Sequence, residues 1–281
     1  MSQISLYNIF SKIFFVILIF LNLQNISSAY EQVQIDYPDK SANQPATSTY
    51  YFKGTNSKAL ILFLPGGDGV MIGGGMDAFS LPFRMLTDKS MSQGKYDFVS
   101  VNSNKSLQTR KDRDWLNNVY QLRSEKDHTI RVESVINYYK SKTKLPIILF
   151  GHSNGGVSVE ILLNHLTKEN KINIISGILV SETNDTTARE IRAIITKSEI
   201  NLPTIIMLHK KTRCETVNYN YQISQFEKNI ENHKSPIAII SIEGGIDLPS
   251  HPCYSGYHMY AGADKEVLEK IEIELNKIKF K

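Results

Sequence analysis

Cysteine is scarce in this 281-residue chain: there are two, Cys214 and Cys253. Neither sits on a glycine turn between a strand and a helix, which argues against a cysteine nucleophile. Long apolar runs are missing as well. The longest, over residues 13–21, is about half of the roughly 20 residues needed to cross a bilayer. Charge of one sign is not in excess, with a formal net charge of +4. The lysines are scattered rather than set in a basic stripe with aromatics, so nucleic acid is not an expected partner. There is no Lys-Ser/Thr ending of a phosphate loop and no dinucleotide glycine spacing, and hence no call for a nucleotide cofactor. No internal repeat and no break in composition interrupt the chain, so one main domain is expected.

What is present begins with an address. Lys12, the apolar run and then Ser27-Ser28-Ala29 have the layout of a secretory signal peptide cut after Ala29. The other reading is an uncleaved N-terminal anchor. Residues 30–56 read as an N-terminal arm with at most one edge strand, and residues 57–281 as the folded domain. The expected product is exported, periplasmic or secreted, with no stable membrane span after cleavage. In that oxidising setting Cys214 and Cys253 favour a disulfide over two separate buried thiols. It closes a loop of about 40 residues and adds about 4 kcal/mol by chain entropy, less any strain.

From residue 57 apolar runs of strand length alternate with helical spacing. Strands are expected over 59–64, 97–101, 147–150, 174–181, 204–209 and 237–242. Helices are expected over 77–92, 127–142, 157–166, 187–197, 221–233 and 264–278. Short loops and runs that are apolar on both faces indicate an α/β fold, a mostly parallel sheet covered by helices on both sides. Chemistry in such sheets sits at the carboxyl ends of the strands. No insertion between the strands at 174–181 and 204–209 is long enough for a large lid domain.

One strand end carries Gly151-His152-Ser153-Asn154-Gly155, a G-x-S-x-G pentapeptide between an apolar strand and a helical pattern. That is the form of a nucleophile elbow, in which a serine sits on a strained turn and glycines make room for it. A serine hydroxyl needs an imidazole to take its proton and a third group to hold the ring's tautomer. His258, just before the closing helix, is preferred as base over His251, which is wedged beside Pro252 and Cys253. The oxyanion needs two backbone donors. Asn154, next to the serine, supplies one, and the Pro65-Gly66-Gly67-Asp68-Gly69 loop supplies the other through Gly67 or Asp68. Gly73-Gly74-Gly75 suggests a mobile rim.

The acid is harder to find. The run after residues 204–209 is Lys210-Lys211-Thr212-Arg213-Cys214-Glu215 and holds no aspartate. Glu215, Glu182 and Asp185 all stand as candidates.

From residue 59 onward the chain resembles the α/β-hydrolase superfamily and, within it, a group of exported bacterial serine hydrolases. The resemblance is carried by Pro65 to Gly69, the Arg123-Ser124 pair, the G-x-S-x-G elbow, the turn from His209 to Cys214, and Cys253 followed by Tyr257-His258. It implies Ser153 as nucleophile, His258 as base and a Cys214–Cys253 bridge near the site. In that group the acid stands two residues before the first cysteine, and here the position is Thr212. The expected activity is hydrolysis of a small carboxylic ester without cofactor or metal. The alternative is a catalytically silent hydrolase-fold protein that binds a ligand or partner in the same cleft.

Overall fold

Six consecutive apolar residues offer water nothing, so Ala59–Leu64 (β3) belongs in the middle of a sheet, and all six are buried. The structure is a computed structural model that describes residues 30–67, 69, 94–102, 121–197, 200–230, 236–249, 252–253 and 256–279. The expected signal peptide, the helix over 77–92, Asp68, the Gly73–Gly75 run and His251 lie outside the described residues. The chain divides into two units, Met1–Glu31 and Gln32–Lys281.

Around β3 the sheet has eight strands in the order β1-β2-β4-β3-β5-β6-β7-β8. The others are β1 (Glu31–Ile35), β2 (Thr47–Phe52), β4 (Tyr96–Val101), β5 (Ile147–His152), β6 (Gly177–Ser181), β7 (Thr204–His209) and β8 (Ile237–Ile242). From β4 to β8 every pairing is parallel, and β2 runs antiparallel to β4. The order reverses at β3, which lies between β4 and β5. That is a topological switch point, where α/β sheets open a crevice at their carboxyl ends.

Helices α1 (Lys126–Thr143), α2 (Gly155–Lys168), α3 (Asp185–Lys197) and α4 (Tyr219–Ile230) follow the strands. Their apolar stripes meet one set of alternate strand residues: Val132 and Ile136, Leu162 and Leu163, Ile191 and Phe226 share a core with Leu60, Leu62, Leu149, Val180 and Leu208. Residues between these point to the other side, where Phe63 packs 5.8 Å from Phe98 and 5.0 Å from Phe150 between ring centres. The closing helix α5 (Asp264–Lys277) buries Val267, Leu268, Ile271 and Leu275. Between β6 and β7 the described chain forms a single helix, α3.

The arm differs from expectation. It gives two strands, β1 and β2, rather than one edge strand. The buried positions of β2 are Thr47, Thr49, Tyr51 and Phe52. The period of two is there, but threonine carries half of it, so no apolar alternation shows in the sequence. Polar bonds hold the strand in place. Tyr51 donates its hydroxyl to Asp97 at 2.5 Å, and the hydroxyls of Thr49 and Tyr139 lie 2.8 Å apart. Two boundaries also move. Ile174, expected to open a strand, closes a 3-10 turn through its N–H to the Lys171 carbonyl (3.0 Å), and β6 starts at Gly177. Helix α2 begins at Gly155 rather than Val157, because the carbonyl of Ser153 already accepts from Gly156 N–H at 2.9 Å.

Candidate functional site

The parallel register levels the strand ends that matter. Leu64 pairs with Gly151, His152 with Ser181, and His209 with Ile242. The residues that follow them, Pro65 to Gly67, Ser153, Glu182 and the turn carrying Thr212, therefore emerge on one edge of the sheet.

Ser153 is held at φ 51° and Glu182 at φ 48°, both in the left-handed region that costs a non-glycine residue about 1–3 kcal/mol. Each is pinned by the neighbouring strand: Ser153 N–H donates to the Ser181 carbonyl at 2.8 Å, and Glu182 N–H to the Met207 carbonyl at 3.2 Å. The elbow glycines are there for close approach. A Cβ on Gly155 would lie 1.8 Å from the carbonyl oxygen of Leu64, so no other residue lets α2 start against β3. A Cβ on Gly66 would come within 3.0 Å of the Ser153 Cβ, which brings the glycine loop directly against the serine.

His258 sits in a 3-10 turn, Gly256–Met259, ahead of α5, and is 1% exposed. Its Nδ1 lies 3.2 Å from Glu182 Oε2, and Glu182 is itself 1% exposed. The same carboxylate accepts from His209 N–H at 2.6 Å on Oε1 and from the Thr212 hydroxyl at 2.6 Å on Oε2. These three hydrogen-bond partners fix the plane of the carboxylate. Nε2 of His258 is buried and, among the described residues, meets no partner. The ring stands 5.3 Å, centre to centre, from that of His152, the residue before the serine.

His152 has neighbours at both ring nitrogens. Its Nδ1 is 2.8 Å from the Ser181 hydroxyl and its Nε2 3.2 Å from the Met259 sulfur. Burial, and secondarily the nearby His258, push its pKa well below the usual value, so it stays neutral. Tyr260 closes the floor. It is fully buried, with its hydroxyl donating to the Met207 carbonyl at 3.1 Å, and burial followed by the Glu182 charge raises its pKa well above 10. His209 is fixed as a tautomer, since Nδ1 accepts from Lys211 N–H (3.0 Å) and Nε2 therefore donates to the Gly244 carbonyl (2.6 Å). Its ring stacks 4.4 Å from that of Tyr257, next to His258.

Of the expected residues, then, Glu182 and His258 come together, and Ser153 stands on the adjacent strand end, half-buried and open to solvent. Glu215 is exposed on the turn after Cys214. Asp185 opens α3 and accepts from Asn218 N–H (2.9 Å) and the Gln222 amide (2.8 Å). The Cys214–Cys253 disulfide is formed. It joins the turn carrying Thr212 to the segment leading into His258. Asn154 caps α2, where the helix dipole favours negative charge, and Gly67 has φ 54°. Among the described residues neither N–H donates to another group.

Two contributors escaped the sequence. Thr212 stands where the resemblance places an acid, and its hydroxyl faces the Glu182 carboxylate. Arg123 was part of a motif without a role and is among the largest fully buried side chains. A charged residue at a helical position gives no sign in sequence that it points inward. The described residues contain no cluster of histidine, cysteine and carboxylate side chains fit to hold a metal. No described helix is long and apolar enough to cross a membrane.

No family model matches the sequence, and no curated protein matches it. Solved structures do. Dienelactone hydrolase from Anabaena variabilis superposes with a TM-score of 0.57 at 9% identity, over 89% of this chain and 99% of that one. An esterase from Pyrococcus furiosus gives 0.56 at 11% identity, over 91% and 92%. An α/β serine hydrolase without a lid from Xanthomonas campestris gives 0.54 at 9% identity, over 89% and 95%. The chain has the α/β-hydrolase fold.

Proposed function

We propose that the protein is an exported serine hydrolase acting on a small carboxylic ester. The observation that carries this reading is the His258 ring itself. One nitrogen is engaged by a buried carboxylate, and the other is buried and, among the described residues, without a partner, beside the strand end that bears Ser153. A histidine that served only packing would have both nitrogens satisfied, as His209 does.

In this reading Ser153 Oγ attacks the ester carbonyl carbon while His258 Nε2 takes its proton. Glu182 accepts from Nδ1–H, holds that tautomer and stabilises the imidazolium. The tetrahedral oxyanion is met by the N–H groups of Asn154 and Gly67, with Asp68 as the other donor offered by the loop. As the tetrahedral species collapses, His258 returns the proton to the departing alcohol and an acyl-serine remains. Water, losing a proton to His258, then releases the carboxylic acid and restores Ser153. No step needs a metal or a cofactor. The disulfide accords with an oxidising compartment and so with the leader expected at residues 1–29.

The silent-binder alternative was motivated by Thr212. A carboxylate 3.2 Å from His258, supplied by β6 instead of β7, weighs against it. The test is covalent. Mature protein is expected to label with a fluorophosphonate and to hydrolyse short p-nitrophenyl esters between pH 6 and 9, and Ser153→Ala to do neither. Absence of both in the wild type overturns the reading in favour of a binding role. Matched anilides separate an amidase from an esterase.

A further inference from the structure

The buried guanidinium of Arg123 reaches both halves of the oxyanion site. Nη2 donates to the carbonyls of Pro65 (2.9 Å) and Gly67 (3.0 Å) on the glycine loop. Nη1 donates to the Ser158 hydroxyl at 2.6 Å, one turn into α2, the helix that Asn154 caps. The carbonyl between the two held by Arg123, that of Gly66, accepts from Gly69 N–H at 2.9 Å. Three consecutive carbonyls are therefore tied down. Because an amide N–H points opposite to the C=O of its own peptide unit, fixing the Gly66 carbonyl orients Gly67 N–H, and the flanking units cannot swing to undo it.

We propose that Arg123 is the positioning residue that sets the separation between the two oxyanion donors, Gly67 N–H on the loop and Asn154 N–H on the helix cap. The inference rests on the hydrolase reading above. Loop and helix belong to different βα units and share no strand ladder beyond Leu64 and Gly151, so their spacing needs a rigid brace. A planar fork with fixed donor directions suits this better than a lysine, whose single ammonium cannot reach three acceptors in two directions at once. The brace has support from behind. His128 Nε2 lies 2.9 Å from the Ser158 hydroxyl. Burial, then the charges of Arg123 and Arg131, lower its pKa to about 3. A neutral imidazole accepts a hydrogen bond from the Ser158 hydroxyl, which leaves the Ser158 oxygen free to accept from Arg123 and keeps a second positive charge away from it.

The experiment compares wild type, Arg123→Lys and Ser158→Ala with p-nitrophenyl acetate, normalised to active sites titrated with a fluorophosphonate. A boronic acid serves as the tetrahedral analogue. Loss of an oxyanion donor lowers kcat by about 10²–10³-fold, so Arg123→Lys is expected to lose about 100-fold in kcat per titrated site with KM within about twofold. Its boronate inhibition constant is expected to rise by a similar factor. Ser158→Ala keeps the loop contacts, loses the helix contact, and is expected to lose about tenfold in kcat, less than the loss of a donor would cost. If Arg123→Lys does not fold, Ser158→Ala carries the test. A variant that titrates fewer sites but turns over each at the wild-type rate shows a purely structural role and overturns the inference. A wild type that neither labels nor turns over fails the hydrolase reading itself, and the brace with it.

Discussion

Thr212 donates its hydroxyl at 2.6 Å to Glu182 Oε2, the carboxylate oxygen that also meets His258. The position at which an acid was expected from the resemblance holds a hydroxyl that donates to a carboxylate at the end of the neighbouring strand. The histidine meets a carboxylate beside its Nδ1 although position 212 itself holds none.

Neutralising that charge should cost more than any other carboxylate change. Glu182→Gln keeps size and an acceptor for His209 N–H but cannot stabilise an imidazolium. We expect kcat to fall by about 10²-fold or more, given the roughly 10⁴-fold loss in the analogous change of the serine protease triad. Glu215→Gln, on an exposed turn, should leave kcat unchanged. Steady-state rates per titrated site compare the two.

Thr212→Val removes one donor to a buried carboxylate at nearly constant volume. Hydrogen bonds to charged groups contribute about 1.5–3 kcal/mol. With Thr212 half-buried, we expect a loss near the lower end, measured as a shift in urea midpoint at constant slope. Thr212→Ser should recover most of it, because the hydroxyl rather than the methyl faces Glu182.

Cutting the disulfide should loosen the same region. Its loop spans 39 residues of separation, which corresponds to about 4 kcal/mol of stability on the chain-entropy model. Reductant, or Cys214→Ser with Cys253→Ser, should lower the denaturation midpoint accordingly and lower kcat as well. The intact mass should rise by two hydrogens on reduction. A mass that does not change would mean the sulfurs are not bonded.

Glu160, buried on α2, supplies a pH signature away from the site. Burial is the main cause that raises its pKa from the ordinary 4.5 to about 7. Between those values the folded state holds a proton that the unfolded state has lost. Stability from this group is therefore present at acid pH and lost as pH rises toward 7. Urea midpoints at pH 5 and pH 8 should differ in that direction, and Glu160→Gln should reduce the difference.

Much of this could be read before any coordinates. The runs at β3, β5 and β7 are apolar on both faces, and only a covered parallel sheet accommodates them. Glycines at 151 and 155 around a serine mark a turn between strand and helix, and β5 and α2 stand on either side of it. Which carboxylate meets His258 could not be read in the same way. Glu182 and Glu215 are both glutamates in polar loops. What separates them is that Glu182 follows β6 directly and turns inward in a left-handed conformation, which sequence does not encode for a residue other than glycine. β2 was obscured by threonines, and Arg123 by its charge.

The way Ser153 and Glu182 are pinned has a consequence for how the molecule can be divided. Ser153 N–H depends on a carbonyl of β6, Glu182 N–H on one of β7, and Lys210 N–H, at the turn that carries Thr212, on the Ile242 carbonyl of β8 at 2.8 Å. Each unfavourable turn is propped by the strand that comes after it in the chain. A fragment ending at α2 would contain the whole pentapeptide and yet lack the carbonyl that receives the Ser153 N–H. During synthesis the turn at Ser153 has to wait for β6 and the turn at Glu182 for β7, so the two strand ends take their shape from the middle of the sheet outward.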